Sequence, residues 1–131
     1  MKRIHLLTGI LTLVVFLVTG VYMRIGFPEL YGDSEAIRFL FRANHVYILF
    51  SGLLNVMAGF ASVPMVQTDL VQKVKAAGSI LLLLAAPLFI LAFILEPPQL
   101  SPMRPVTVTA AFFALIGAGL FVLARKQNWK G

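Results

Sequence analysis

The stretch Ala76-Ala77-Gly78-Ser79-Ile80-Leu81-Leu82-Leu83-Leu84-Ala85-Ala86-Pro87-Leu88-Phe89-Ile90-Leu91-Ala92-Phe93-Ile94-Leu95 carries no charge. A helix rises ~1.5 Å per residue, so ~20 residues cross a ~30 Å hydrocarbon core. This run has that length. Three other windows match it, at about Ile4 to Met23, Asn44 to Val63 and Val106 to Ala124. The first is free of charge apart from an ionisable His5. All ten glycines except Gly26, Gly32 and Gly131 fall inside the four windows. Glycine weakens soluble helices but is common in transmembrane ones.

Composition supports lipid as the solvent. Of 131 residues, 60% are hydrophobic and 12% charged. Soluble domains run nearer half apolar and a quarter charged. A chain of this size cannot bury so much apolar surface in one small core. The expectation is therefore one all-α transmembrane domain over residues 1–131. Basic residues give a net charge of +6, but they flank the apolar runs. Orientation in a membrane explains that pattern better than nucleic acid. The absence of cysteine excludes disulfides, thiolate metal sites and Cys nucleophiles.

The connections are punctuated by turn residues. Pro28 and Gly32 interrupt the chain after the first span. Pro64, Gln67-Thr68-Asp69 and Lys73 mark the second connection. Glu96-Pro97-Pro98-Gln99-Leu100-Ser101-Pro102 reads as a stiff, non-helical cap, and Pro105 suits a first helical turn. In the outer segment 24–43, Asp33 or Ser34 can cap a helix that begins at Glu35 and continues into the second span. Met1-Lys2-Arg3 before an apolar run resembles a signal peptide. The run is longer than a signal h-region and no A-x-A follows, so it is expected to stay as a span.

Charge sets the orientation. Lys2, Arg3, Lys73, Lys75, Arg125, Lys126 and Lys130 fall on one side of a four-span arrangement. Arg24, Arg38, Arg42 and Arg104 fall on the other, with Glu29, Asp33, Glu35 and Glu96. The positive-inside rule puts both termini in the cytoplasm. The expected architecture is an antiparallel up-down bundle in a bacterial cytoplasmic (inner) membrane.

Glu35, Arg38, Arg42 and His45 recur at spacings of three and four, so they share a helical face. Arg38, His45, Gly52 and Gly59 are seven apart, with Asn55 beside them. The stripe is polar outside and small inside, which suits a face turned into a bundle. The candidate ligand-binding residues are Arg38, Arg42, His45, Asn55 and Glu96. The guanidinium groups of Arg38 and Arg42 suit an anion, a lipid headgroup or a carbonyl ligand. His45 can donate to that ligand or exchange a proton, and Glu96 balances the charge. The opposing explanation is interfacial: arginines that snorkel, pair with Glu35 or Glu96, and bind nothing.

Other features point to packing. Thr8, Thr12 and Thr19 line one face of the first span and can bond their own backbone. Pro87 leaves the Leu83 carbonyl without its helical donor. Ala110, Ala114 and Ala118 with Gly117 and Gly119 form a close-packing face, within the chain or against another copy. His5 and His45 lie at opposite ends of their spans, ~30 Å apart if both are full, which disfavours a bis-His haem. His45, Met23 and Met103 carry no recognised copper spacing. No metal or cofactor is expected.

No Asp or Glu lies within a span, and no H-E-x-x-H, G-x-S-x-G or P-loop is present. The expected function is a non-enzymatic accessory or lipid- or ligand-binding membrane protein. Its partners are membrane lipid and a protein partner or second copy. The alternative is a quinone- or redox-linked enzyme component that uses the outer Arg/His cluster.

Overall fold

A computed structural model describes residues 1–62, 68–100 and 102–127. The side chains of residues 125–127 lie outside that description. The turn markers Pro64 and Gln67, Ser101 and Lys130 also lie outside the described residues, as do the side chains of Arg125 and Lys126.

Four helices follow one another: α1 (Lys2–Leu30), α2 (Glu35–Ala61), α3 (Asp69–Leu95) and α4 (Pro105–Gln127). All four are long and apolar enough to span a membrane. No strand occurs among the described residues. Each apolar run forms a helix, which satisfies its backbone polar groups within the run, as a membrane span requires.

The helices extend beyond the apolar windows. α1 runs through Arg24 and Pro28 to Leu30, where a break had been expected at Pro28. Pro28 sits in the last turn, so it removes only one helical donor near an end that frays anyway. Gly32 then lets the chain fold back. A Cβ there would lie 2.7 Å from the Pro28 carbonyl oxygen. Likewise α3 begins at Asp69, so Lys73 and Lys75 are helical and not part of a connection. At 29 residues, α1 is ~43 Å long, more than the length needed to cross a ~30 Å hydrocarbon core. The stiff link after α3 includes a single 3-10 turn, Pro97–Gln99, where a non-helical cap had been expected.

The expected start of α2 is present. Ser34 is the N-cap, and its hydroxyl accepts from the Ile37 N–H at 3.4 Å. Pro105 occupies the first turn of α4. α3 stays helical through Pro87.

α1 packs chiefly on α2 and α3 on α4, while α2 meets α3 between these pairs. Glycines make the two tight pairings close. A Cβ on Gly9 would lie 2.8 Å from the Val56 nitrogen and 2.9 Å from the Gly52 oxygen. A Cβ on Gly117 would lie 2.9 Å from the Gly78 oxygen. Backbones this near gain dispersion contact, which drives helix association in lipid. Ala110 and Ala114 are buried beside this seam, whereas Gly119 faces open space.

Phe27, Phe41 and Phe93 fill the core toward the Tyr31 end of the molecule, with Tyr22 and Tyr31 against them. Ile48, Ala85, Phe89 and Ala114 fill the middle. Ala58, Leu82 and Phe121 fill the opposite end. Large apolar side chains such as Leu17, Phe60, Phe112 and Leu115 are exposed, the reverse of a soluble protein's surface.

Candidate functional site

Two buried polar clusters tie the helices together, one toward each end. The first is built on Asn44, Glu96, Arg104 and Thr107. The α4 segment starts Arg104-Pro105-Val106-Thr107, with no Ser, Asp or Asn at the position that normally caps a helix. Pro105 has no N–H, but Val106 and Thr107 present theirs to the end of α3. Glu96 Oε1 accepts both, at 2.7 Å from Val106 N and 3.1 Å from Thr107 N. The other carboxylate oxygen accepts from the Thr107 hydroxyl and lies 3.7 Å from Arg104 Nε. A carboxylate at a helix N-terminus is favoured by the aligned peptide dipoles as well. The Pro97–Gln99 turn holds Glu96 in reach of the next helix.

Asn44 joins α2 to this cluster. Its amide nitrogen donates to the Ala92 carbonyl at 2.9 Å. Its amide oxygen accepts from Arg104 and lies 3.3 Å from the Thr107 hydroxyl. One asparagine thereby bonds both α3 and the start of α4.

The second cluster is built on His5 and Asn55. Asn55 is fully buried, and its amide nitrogen donates to the Ser51 carbonyl and the Leu82 carbonyl, each at 3.1 Å. Its oxygen is then the acceptor that faces His5 Nδ1 at 2.9 Å. Nδ1 must carry the hydrogen in this contact. The His5 ring lies edge-on to Phe121, with centroids 6.3 Å apart. So α1, α2, α3 and α4 all touch one His–Asn pair. Replacing Asn55 by Ala removes the acceptor for His5 and the donor to Leu82. Such interhelical bonds in lipid are worth about 1 kcal/mol each. A loss of roughly 1–2 kcal/mol is expected in a detergent unfolding titration, with His5→Ala giving no further loss in the Asn55→Ala background.

The residues singled out from sequence do not form one site. Asn55 and Glu96 are internal, one in each cluster. Glu96 pairs with Arg104 and caps α4, so it does not serve as counter-charge to Arg38 or Arg42. The physical reason is local: α4 lacks its own cap and Arg104 is nearer in the chain. His5, which the sequence did not pair with Asn55, bonds to it. Thr12 and Thr19 bond the carbonyls of Thr8 and Val15, as their spacing implied.

Arg38, Arg42 and His45 remain together on the N-terminal half of α2. Arg42 is exposed and Arg38 half-buried. Neither makes an ion pair or a side-chain hydrogen bond with a described residue. Arg38 Nε is covered and unpartnered. His45 stacks on Phe16, with centroids 4.0 Å apart and planes 18° off parallel, and its Nδ1 lies 3.0 Å from the Thr19 hydroxyl. Between the levels of His5 and Thr19, α1 rises about 21 Å, so the two histidines are well separated.

Sequence reasoning missed Asn44, Arg104 and Thr107 as partners of Glu96. The signal that points to them is the uncapped Arg104-Pro105-Val106-Thr107 start. Among the described residues, no group of three or more His, Asp or Glu side chains can hold a metal ion. No protein-family model, curated protein or solved structure matches this chain.

Proposed function

We propose that the chain is a polytopic protein of a bacterial cytoplasmic membrane, an antiparallel up-down four-helix bundle with both termini inside. In this reading it has no chemistry of its own and binds the headgroups of anionic lipids at the outer surface through Arg38 and Arg42. One observation carries the binding site: these arginines lack partners among the described residues, while the acid Glu96 is committed to Arg104 and to α4. Glu35 also forms no ion pair with them. Two guanidinium groups one helical turn apart present paired donors suited to phosphate oxygens.

The exposed apolar surface supports insertion, and the lysine distribution supports the orientation. A basic residue near a membrane surface contributes about 1 kcal/mol of attraction to anionic lipid. The double variant Arg38→Gln/Arg42→Gln should therefore weaken anionic-lipid retention by about 2 kcal/mol. Native mass spectrometry of the purified protein, titrated with an anionic and a zwitterionic lipid, reads this directly. Equal retention of anionic lipid by wild type and the double variant would remove the proposal.

A further inference from the structure

His45 is held so that one particular ring nitrogen carries the proton. The Thr19 hydroxyl lies 2.9 Å from the Val15 carbonyl and 3.0 Å from the Phe16 carbonyl. Both are pure acceptors, so the single hydroxyl proton goes to them. Thr19 must then accept from His45 Nδ1, 3.0 Å away. In the neutral ring, a proton on Nδ1 leaves a lone pair on Nε2. Stacking on Phe16 holds the plane of the ring.

That Nε2 has no hydrogen-bond partner among the described residues and is not fully covered. The α1 residue opposite is Gly20. A Cβ built there would already lie 3.4 Å from Cε1 and 3.6 Å from Nε2. His45 is three residues on from Arg42 and seven from Arg38, on the same face of α2. Along the axis these steps are about 4.5 Å and 10.5 Å. The face therefore offers two cationic donors and, one turn deeper, one neutral acceptor.

We propose that Arg38, Arg42 and His45 form one site for an anionic phospholipid whose headgroup bears a hydroxyl. The phosphate sits on the arginines and the hydroxyl donates to His45 Nε2. This rests on the reading of Arg38 and Arg42 as a headgroup-binding pair, and it adds selectivity to that reading. A headgroup of equal charge without a hydroxyl leaves Nε2 unpaired, and polar sites discriminate through such unpaired groups. The same phosphate and hydroxyl occur in free glycerol phosphate, which lacks the acyl chains.

The test uses purified, delipidated protein in detergent and native mass spectrometry. The probes are phosphatidylglycerol, phosphatidylethanol of the same charge without the hydroxyls, phosphatidylcholine, and glycerol phosphate. Phosphatidylglycerol is expected to bind about threefold to tenfold more tightly than phosphatidylethanol, the worth of one hydrogen bond. His45→Phe, which keeps the stack on Phe16 and removes Nε2, is expected to abolish that preference, so that the two anionic lipids bind alike. Equal binding of the two anionic lipids, both above phosphatidylcholine, overturns the role of His45 and leaves the arginine pair intact. No preference of either over phosphatidylcholine overturns both ideas. Glycerol phosphate that competes as well as the lipid overturns the lipid as the ligand. Nitrogen-15 spectra of the histidines give a readout that does not depend on a ligand: hydrogen on Nδ1 of His45 is expected, and hydrogen on Nε2 contradicts the proposal.

Discussion

Substituting alanine for Gly117 should lower the stability of the folded protein by about 1–3 kcal/mol, the usual cost of overpacking a tight contact. The new Cβ would lie 2.9 Å from the Gly78 carbonyl oxygen, 3.0 Å from Leu81 Cβ and 3.0 Å from the Leu82 nitrogen. Two of those three atoms are backbone, so no rotamer change relieves the contact. α3 and α4 must move apart instead, and the packing of Leu82 and Phe121 loosens with them. Gly9→Ala should act in the same way between α1 and α2, because the Val56 nitrogen and Gly52 oxygen are the atoms it meets. Gly119→Ala is the control. Nothing lies within 4 Å of its Cβ, and alanine favours helix over glycine by about 1 kcal/mol. That variant should be neutral or more stable. Thermal unfolding in one detergent compares all three, and equal losses at Gly117 and Gly119 would refute the close helix approach.

The second large effect is expected at Glu96. Replacing it by alanine uncaps α4 at Val106 and Thr107 and leaves Arg104 without its ion partner. Removing one member of a buried pair typically costs about 3–5 kcal/mol, because the remaining charge is stranded. Arg104, the charge left behind, is 19% exposed in its side chain, so water offsets part of that cost. Glu96→Gln retains one acceptor for the α4 N–H groups and should lose less than Glu96→Ala. In the Arg104→Gln background the cost of Glu96→Gln should shrink, since no charge is then stranded. An unchanged cost across that cycle would mean that Arg104 contributes nothing to the cluster.

The helices were largely legible in the sequence because each apolar window is a helix with charge at its margins. The ends were not. Hydropathy marks where lipid stops, whereas a helix stops where its hydrogen-bond ladder fails. Arg24 to Leu30 therefore continues α1 beyond its greasy part, and Asp69 to Lys75 begins α3 before its own. The Ser34 cap was readable because capping is local.

The polar clusters were harder to read for the opposite reason. Asn55 stood out as a polar residue beside the small-residue stripe of the second span. Its partner His5 is fifty residues away, and no local spacing links the two. Glu96 was noticed as an acid at the end of a span, but its role depends on an absence eight residues later, the missing cap on α4 at Arg104. Asn44 entered only as the first residue of the second apolar window, although its depth on α2 matches Ala92 and Thr107. The Arg38, Arg42 and His45 face was visible from helical spacing alone, because all three lie on one helix.

All of this depends on the four helices lying in lipid with the lysine-rich ends inside. The chain contains no cysteine, so single cysteines report position without background. Lys2→Cys and Asp33→Cys variants, expressed in intact bacterial cells, can be treated with a membrane-impermeant maleimide before and after lysis. Labelling at Asp33→Cys in intact cells, with Lys2→Cys reacting only after lysis, is the predicted result. The reverse pattern, or protection of both positions until lysis, would contradict the account.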